Sequence, residues 1–334
     1  MVWLYFLVCL AAILFAGSKL ARYGDAIAEK TGLGGVWIGM VLIALITSMP
    51  ELATGIGSVA LVKQPDLAMG TLLGSSIFNI LILVILDILY RRTPILSDVS
   101  KTHIIAAVVG LVLTAVTGIS ILAGEKLSGF ALGWLGGPSI IIFVLYLVGM
   151  RWIYNTERNQ RSASAPDSST RYKDDSLRII WVKFSVAAAV VVGVGIWVAF
   201  IGEDIAELTG WDTSFVGSMF LAISTSMPEL VICIAALRIG AIDIAVADVL
   251  GANMINMAKI FLIDPFWTEG SLLSSVSSSH LITAATVIAM SLVIITGLKF
   301  RQRRKIFVFS SWYSPVILGL YIFGAYNLFA SSVG

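Results

Sequence analysis

Two short segments carry the chemistry of this chain: Ile46-Thr47-Ser48-Met49-Pro50-Glu51-Leu52 and Ser224-Thr225-Ser226-Met227-Pro228-Glu229-Leu230. Proline cannot donate a hydrogen bond to the carbonyl four residues back, and its ring crowds the preceding turn. Pro50 therefore frees the carbonyl of Ile46 and strains that of Thr47. Pro228 does the same to Ser224 and Thr225. A glutamate follows each proline. Thr47 and Ser48 stand four and three residues before Glu51, so their oxygens share its helix face. Thr225, Ser226 and Glu229 repeat that face. Both segments lie in long apolar stretches. A carboxylate in hydrocarbon costs at least about 2.5–3.5 kcal/mol, and free carbonyls there are costly unless something satisfies them. A bound cation answers both needs. One kinked helix with hydroxyls is ordinary membrane architecture; two Pro-Glu kinks at equivalent positions are not.

A second wall follows each segment. Thr71, Ser75 and Asn79 recur at every fourth residue on one face, and Asp248, Ala252 and Asn256 hold the equivalent places. Together the segments offer carboxylate, hydroxyl, amide and carbonyl oxygens, with no cysteine or histidine. That set suits a hard cation such as Ca²⁺, Na⁺ or Mg²⁺, and not zinc or copper. Two carboxylates neutralise one Ca²⁺. Gly74, Gly251 and Ala252 are read as small packing residues. Asp87 and Asp264 fall near membrane boundaries, where plain solvation and a specific role are equally open. His103 and His280 are read as interfacial. Lys259 is placed in the outer half of its span, paired with Asp264 or Glu269; a tether within the site is the less favoured placement.

These residues need apolar elements to hold them. Hydrophobic residues make up 58% of the 334, and charged residues only 13%, about half the usual ~25%. Spanning helices of about 20 apolar residues are expected over 2–22, 34–60, 67–89, 103–123, 128–150, 179–201, 213–237, 243–264, 279–298 and 308–330. The first is read as a span and not a cleaved signal, because no basic region precedes it. Cys9 and Cys233 lie in apolar stretches and are read as inert thiols rather than a disulfide. Short basic clusters flank the spans, and nothing resembles a nucleic-acid motif. Of the 22 Lys and Arg, only Lys63 and Lys126 fall in one set of alternate loops, and Lys259 falls within a span. By the positive-inside rule, the Ser-rich linker over 155–178 is cytoplasmic and both termini lie outside. The protein is expected in the plasma (inner) membrane.

The halves 1–154 and 179–334 resemble each other. Gly74 to Asn79 matches Gly251 to Asn256, Asp66 matches Asp243, and Asp87 matches Asp264. Five spans per half invert the second copy relative to the first. The expected fold is therefore all-α, integral to the membrane, with ten helices as two inverted five-helix repeats and a site near the midplane.

The repeats (46–79 and 224–256) and the TS-x-PEL pair resemble the α-repeats of the cation/Ca²⁺ exchanger superfamily, in its Na⁺/Ca²⁺ exchanger branch. The resemblance covers nearly the whole chain. It implies a central Ca²⁺ site on Glu51 and Glu229 with Thr47 and Thr225, and flanking Na⁺ sites using Ser48, Ser75 and Ser226. Asn79 and Asn256 take the family's mid-site positions. It also implies alternating access, with spans 1 and 6 sliding against the rest. The second copy departs from the family pattern. Ala252 lacks a hydroxyl, Asn256 stands where some members carry aspartate, and Asp248 stands where Asn is usual. One Na⁺ ligand is thus missing.

Na⁺-driven Ca²⁺ exchange is the function expected, by a monomer with no cofactor and no enzymatic activity. A Ca²⁺/H⁺ antiporter using the same glutamates is the alternative, as is exchange of Mg²⁺ or Mn²⁺. A channel fits inverted repeats poorly, and no nucleophile–base pair points to an enzyme. Asp248 restores the lost negative charge two helical turns before Asn256 on the same face. Asp248→Asn should therefore alter the Na⁺ and Ca²⁺ dependence of vesicle flux without abolishing folding; unchanged dependence on both ions removes that role.

Overall fold

The computed structural model describes residues 2–33, 35–124, 131–132, 135–162, 176–209, 222–302, 304–305 and 311–333. Most of the expected linker, the start of the span expected over 213–237 and the acids Glu125 and Asp212 lie outside the described residues. Apolar runs become helices because only internal hydrogen bonding satisfies a backbone in hydrocarbon. The described chain is almost wholly helical: α1 (Val2–Thr31), α2 (Gly35–Thr47), α3 (Met49–Ala60), α4 (Pro65–Leu89), α5 (Thr102–Ala123), α6 (Gly137–Ser162), α7 (Leu177–Thr209), α8 (Ala222–Thr225), α9 (Met227–Arg238), α10 (Ile242–Ile263), α11 (His280–Lys299) and α12 (Tyr313–Val333). Two departures from the expected boundaries stand out. Helix α6 runs on to Ser162, so residues 155–162, expected in the linker, are helical. A two-stranded hairpin, β1 (Ala131–Leu132) with β2 (Leu135–Gly136), precedes it.

Among the described residues, seven helices are long and apolar enough to cross a membrane. The pair α2 and α3 makes an eighth crossing if its 41° bend belongs to one span. Helix α2 has π-helical turns over Ile38–Ile43, and α3 restarts after Ser48, with Pro50 in its first turn. Helices α8 and α9 break in the same way at Ser226. The two break residues have nearly the same backbone angles, φ −85°, ψ 5° at Ser48 and φ −89°, ψ 9° at Ser226. Proline permits this geometry because it fits the first turn of a helix and not its interior.

The middle is built from α4 and α10, whose spanning stretches are 78% and 89% buried, against 33% for α1 and α7. Backbone meets backbone where α2 crosses α10: a Cβ on Gly251 would stand 2.6 Å from the Met40 carbonyl oxygen. That confirms the packing role expected of Gly251. Helices α1 and α7 pair with each other on the outside. Helix α1 rests on α9 and α7 rests on α3, so each lies against the broken span of the other half.

Four titratable residues expected at interfaces are instead buried connectors. The Asp87 carboxylate, fully buried, accepts from the Ile95 and Ser311 amides, the Ser311 and Ser314 hydroxyls and the Tyr313 phenol, at 2.7–3.1 Å. Lys305 stands 3.7 Å away. Asp264, also buried, accepts from the amides of Gly136 at 2.8 Å and Leu272 at 2.7 Å. Solvation of these two acids is thereby excluded: loop amides replace water around them. His103 and His280 are buried too. His103 Nε2 lies 2.8 Å from Asp243, and His280 Nε2 lies 3.1 Å from Asp66. The Ser100 and Ser277 amides donate to the same two aspartates. Each pair ties the start of a helix in one half to the start of a helix in the other. Removing one member of a buried charged network costs about 3–5 kcal/mol. Asp87→Ala should lose that much stability in detergent thermal unfolding, and Asp264→Ala, with fewer donors stranded, should lose less. A wild-type melting temperature for Asp87→Ala would contradict this.

Candidate cation site

The two helix breaks meet in the middle of the molecule. Glu51 and Glu229 each occupy the first turn after a break, and both are fully buried. The serine at each break serves the glutamate of the other half. Ser48 Oγ donates to Glu229 Oε1 at 3.3 Å, and Ser226 Oγ donates to Glu51 Oε1 at 3.1 Å. This exchange brings together two carboxylates that are far apart in sequence. The second oxygen of each carboxylate, Glu51 Oε2 and Glu229 Oε2, accepts no hydrogen bond. Buried acceptors of this kind are expensive unless a partner answers them.

The expected ligands fall into three groups. Ser48, Ser226 and Thr225 face the glutamates directly, and Asp248 is held beside them by Thr47 and Cys233. Thr225 faces the Glu51 carboxylate; Thr47 Oγ1 lies 3.2 Å from the Ala44 carbonyl and 3.5 Å from Asp248 Oδ1. Asn79 is fully buried, and neither its amide oxygen nor its nitrogen has a partner. Ser75 and Asn256 are committed across the halves, Ser75 to the Ala222 carbonyl at 3.4 Å and Asn256 Nδ2 to Ser76 Oγ at 3.3 Å. All ten are buried. Thr71, the counterpart of Asp248, hydrogen-bonds back to the Leu67 carbonyl of its own helix. Among the described residues, no three acidic, His or Cys side chains are set to hold a metal by themselves. A cation held here would draw on hydroxyl, amide and carbonyl oxygens as well.

Lys259 is the main correction. It is 1% exposed, and it pairs with neither Asp264 nor Glu269. Its Nζ donates to Asn256 Oδ1 at 2.9 Å and stands 3.9 Å from Glu51 Oε2. The favoured placement failed because snorkelling needs a free path to the interface, and α10 is enclosed on all sides by other helices. Cys233 is a smaller correction. It is a free thiol, as expected, but its Sγ sits 3.4 Å from Asp248 Oδ2 and so borders the site. Ser76 was also missed; its place beside Ser75 in the repeat was the available signal.

One cavity, of about 340 Å³, lies alongside α3 and is lined by Thr54, Ser58, Leu67, Ile196 and Phe200 among others. Thr47, Glu51, Thr54 and Ser58 follow one another at helical spacing, so a polar stripe leads from the site toward that cavity. The stripe is absent from the second half, where Ile232 and Ala236 stand at the equivalent places.

Comparison with known proteins matches this architecture. The family model described as sodium/calcium exchanger protein aligns with residues 1–153 and 179–330, one segment on each side of the central stretch. The sodium/calcium exchanger MaX1 of Methanosarcina acetivorans is 25% identical over 96% of this chain and 100% of its own length. Inner membrane protein YrbG of Escherichia coli is 28% identical over 80% of each chain. A solved structure of the sodium-calcium exchanger NCX_Mj, 20% identical, superposes with a TM-score of 0.72 over 97% of this chain and 98% of that one, which is a likeness of fold. A buried pair of carboxylates held by reciprocal serines, on a chain matched by that family model along both halves, makes this protein a member of the sodium/calcium exchanger family.

Proposed function

We propose that the chain exchanges Ca²⁺ against Na⁺ by alternating access, with both ions competing for oxygens between Glu51 and Glu229. The observation that carries this reading is the reciprocal arrangement of Ser48 on Glu229 and Ser226 on Glu51, which leaves the second, buried oxygen of each carboxylate without a hydrogen bond. The unpartnered Asn79 amide adds both a donor and an acceptor there. A hard cation satisfies such oxygens as a protein donor cannot. Two cargoes that need the same carboxylates cannot be carried together, and that competition is sufficient for exchange. The names of the exchangers MaX1 and NCX_Mj point to the same pair of ions.

The likeness of the two halves supports this mechanism. Five contacts recur in both halves: serine to glutamate, aspartate to histidine, aspartate to a serine amide, the buried aspartate to a loop amide, and threonine to the carbonyl three residues earlier. We read ten spans, a cytoplasmic central linker, outward termini, residence in the plasma membrane and a functional monomer. In this scheme α1 and α7 slide as a pair over α3 and α9, opening the site to one side and then the other. A glycine marks the contact: a Cβ on Gly195 of α7 would stand 2.4 Å from Cγ of Pro50 and 3.6 Å from that of Pro228. The missing hydroxyl at Ala252 keeps H⁺ as the alternative driving ion.

Two experiments test the reading. Proteoliposomes loaded with Na⁺ should take up ⁴⁵Ca²⁺, and Glu51→Gln and Glu229→Gln should each reduce uptake by at least about tenfold, since each removes half of the site's acidic pair. Normal transport by both variants would falsify the site assignment; uptake that follows a pH gradient without Na⁺ assigns the H⁺ alternative. Gly195→Ala should slow exchange severalfold. Gly193→Ala, where a Cβ meets nothing within 4 Å, should keep the wild-type rate. Equal rates for the two alanine variants would remove α7 from the moving part.

A further inference from the structure

Two differences between the halves, both on α10, change the charge of the site. Asp248 stands where the first half has Thr71, and Lys259 stands where it has the buried, apolar Ile82. One half alone has thus gained an acid and a base on a single helix, three turns apart. Both side chains point at the site. Asp248 takes hydrogen bonds from Thr47 and Cys233, and Lys259 reaches Asn256 and Glu51. The same helix lacks the hydroxyl that Ser75 provides in the first half, because Ala252 stands there.

A buried ammonium persists only where negative charge and acceptors answer it. Lys259 has one acceptor in Asn256 Oδ1 and a facing carboxylate in Glu51, and its charge is felt by Glu229 as well. Those are the same oxygens that a small mobile cation would use. The ammonium differs from such an ion in one respect: it is covalently attached and cannot leave. With all four groups ionised, three carboxylates, Glu51, Glu229 and Asp248, against one ammonium give the site two net negative charges. That is the charge of one divalent ion, or of two monovalent ones.

Resting on the antiport reading above, we propose that Lys259 is a tethered cation that permanently fills the position of one exchangeable monovalent ion beside Glu51, so that one divalent ion exchanges for two monovalent ions with no net charge movement. Asp248 is the compensating acid that keeps the site attractive to a divalent ion despite the lysine. The lysine acts here as a specificity-determining residue: it sets how many ions are carried, and it is not itself carried.

The test uses the full chain in proteoliposomes, with the membrane potential clamped by K⁺ and valinomycin. Each charge that crosses would feel that potential fully. Na⁺-driven ⁴⁵Ca²⁺ uptake by the wild type should be insensitive to the potential. Lys259→Met leaves three net negative charges and should make uptake potential-dependent, with the Hill coefficient for Na⁺ competition against ⁴⁵Ca²⁺ binding rising by about one, since each uncompensated buried charge calls for one more cation. Lys259→Met combined with Asp248→Asn returns the site to two net charges and should restore potential-independence. A merely structural lysine would not produce that restoration. Potential-dependent exchange by the wild type overturns the inference and leaves the antiport reading standing, as does a Lys259→Met variant with unchanged potential-dependence and Hill coefficient. Absence of any Na⁺-driven exchange by the wild type overturns both. If Lys259→Met does not fold, Lys259→Gln takes its place, and the wild-type response to potential decides the matter by itself.

Discussion

Two carboxylates buried in a low-dielectric interior are the constraint to which the rest of this molecule answers. Isolated charges there are prohibitively costly, so Glu51 and Glu229 can exist only where other groups face them. Each finds a serine from the opposite half, and each serine is available because its helix is broken at that residue. The break, the proline that enforces it and the glutamate it presents are one device. It works only when two copies meet head to head. Neither half is complete without the other, and this explains why so many of the remaining polar contacts also cross between halves.

Those contacts form a graded set. At the ends of the central helices, His103 with Asp243 and His280 with Asp66 join helix starts of the two halves. Further out, Asp87 and Asp264 gather loop amides and hydroxyls that would otherwise be stranded. A membrane protein gains little from hydrophobic association inside the bilayer. Close backbone packing, as at Gly251 over Met40, and satisfied buried polar groups therefore carry more of the burden of fixing the halves together. The outer pair α1 and α7 touches the centre through small residues and prolines, a contact suited to sliding.

Within this near-symmetric frame, function depends on where symmetry fails. Thr71 against Asp248, Ser75 against Ala252 and Ile82 against Lys259 give the second wall of the site a charge pattern that the first lacks. The polar stripe toward the cavity beside α3 exists on one side only. A repeated scaffold thus carries an asymmetric lining.

The sequence by itself determined the elements and the donor set. Apolar runs of spanning length could only become helices, Pro50 and Pro228 could only break them, and the acids following those prolines had to be buried because their helices are. Oxygen donors without His or Cys suit hard cations. Tertiary structure decided the partners. Lys259 lies on the same α10 face as Asn256 in any helix, yet whether it reached water or Glu51 depended on neighbours that helical spacing does not specify. Asp87, Asp264 and the two histidines were visible as polar residues near span ends, but their partners come from segments as many as 227 positions away. Spacing along a helix fixes a direction within about one turn; the depth of a side chain, and what lies opposite it, come from the packing of the other half.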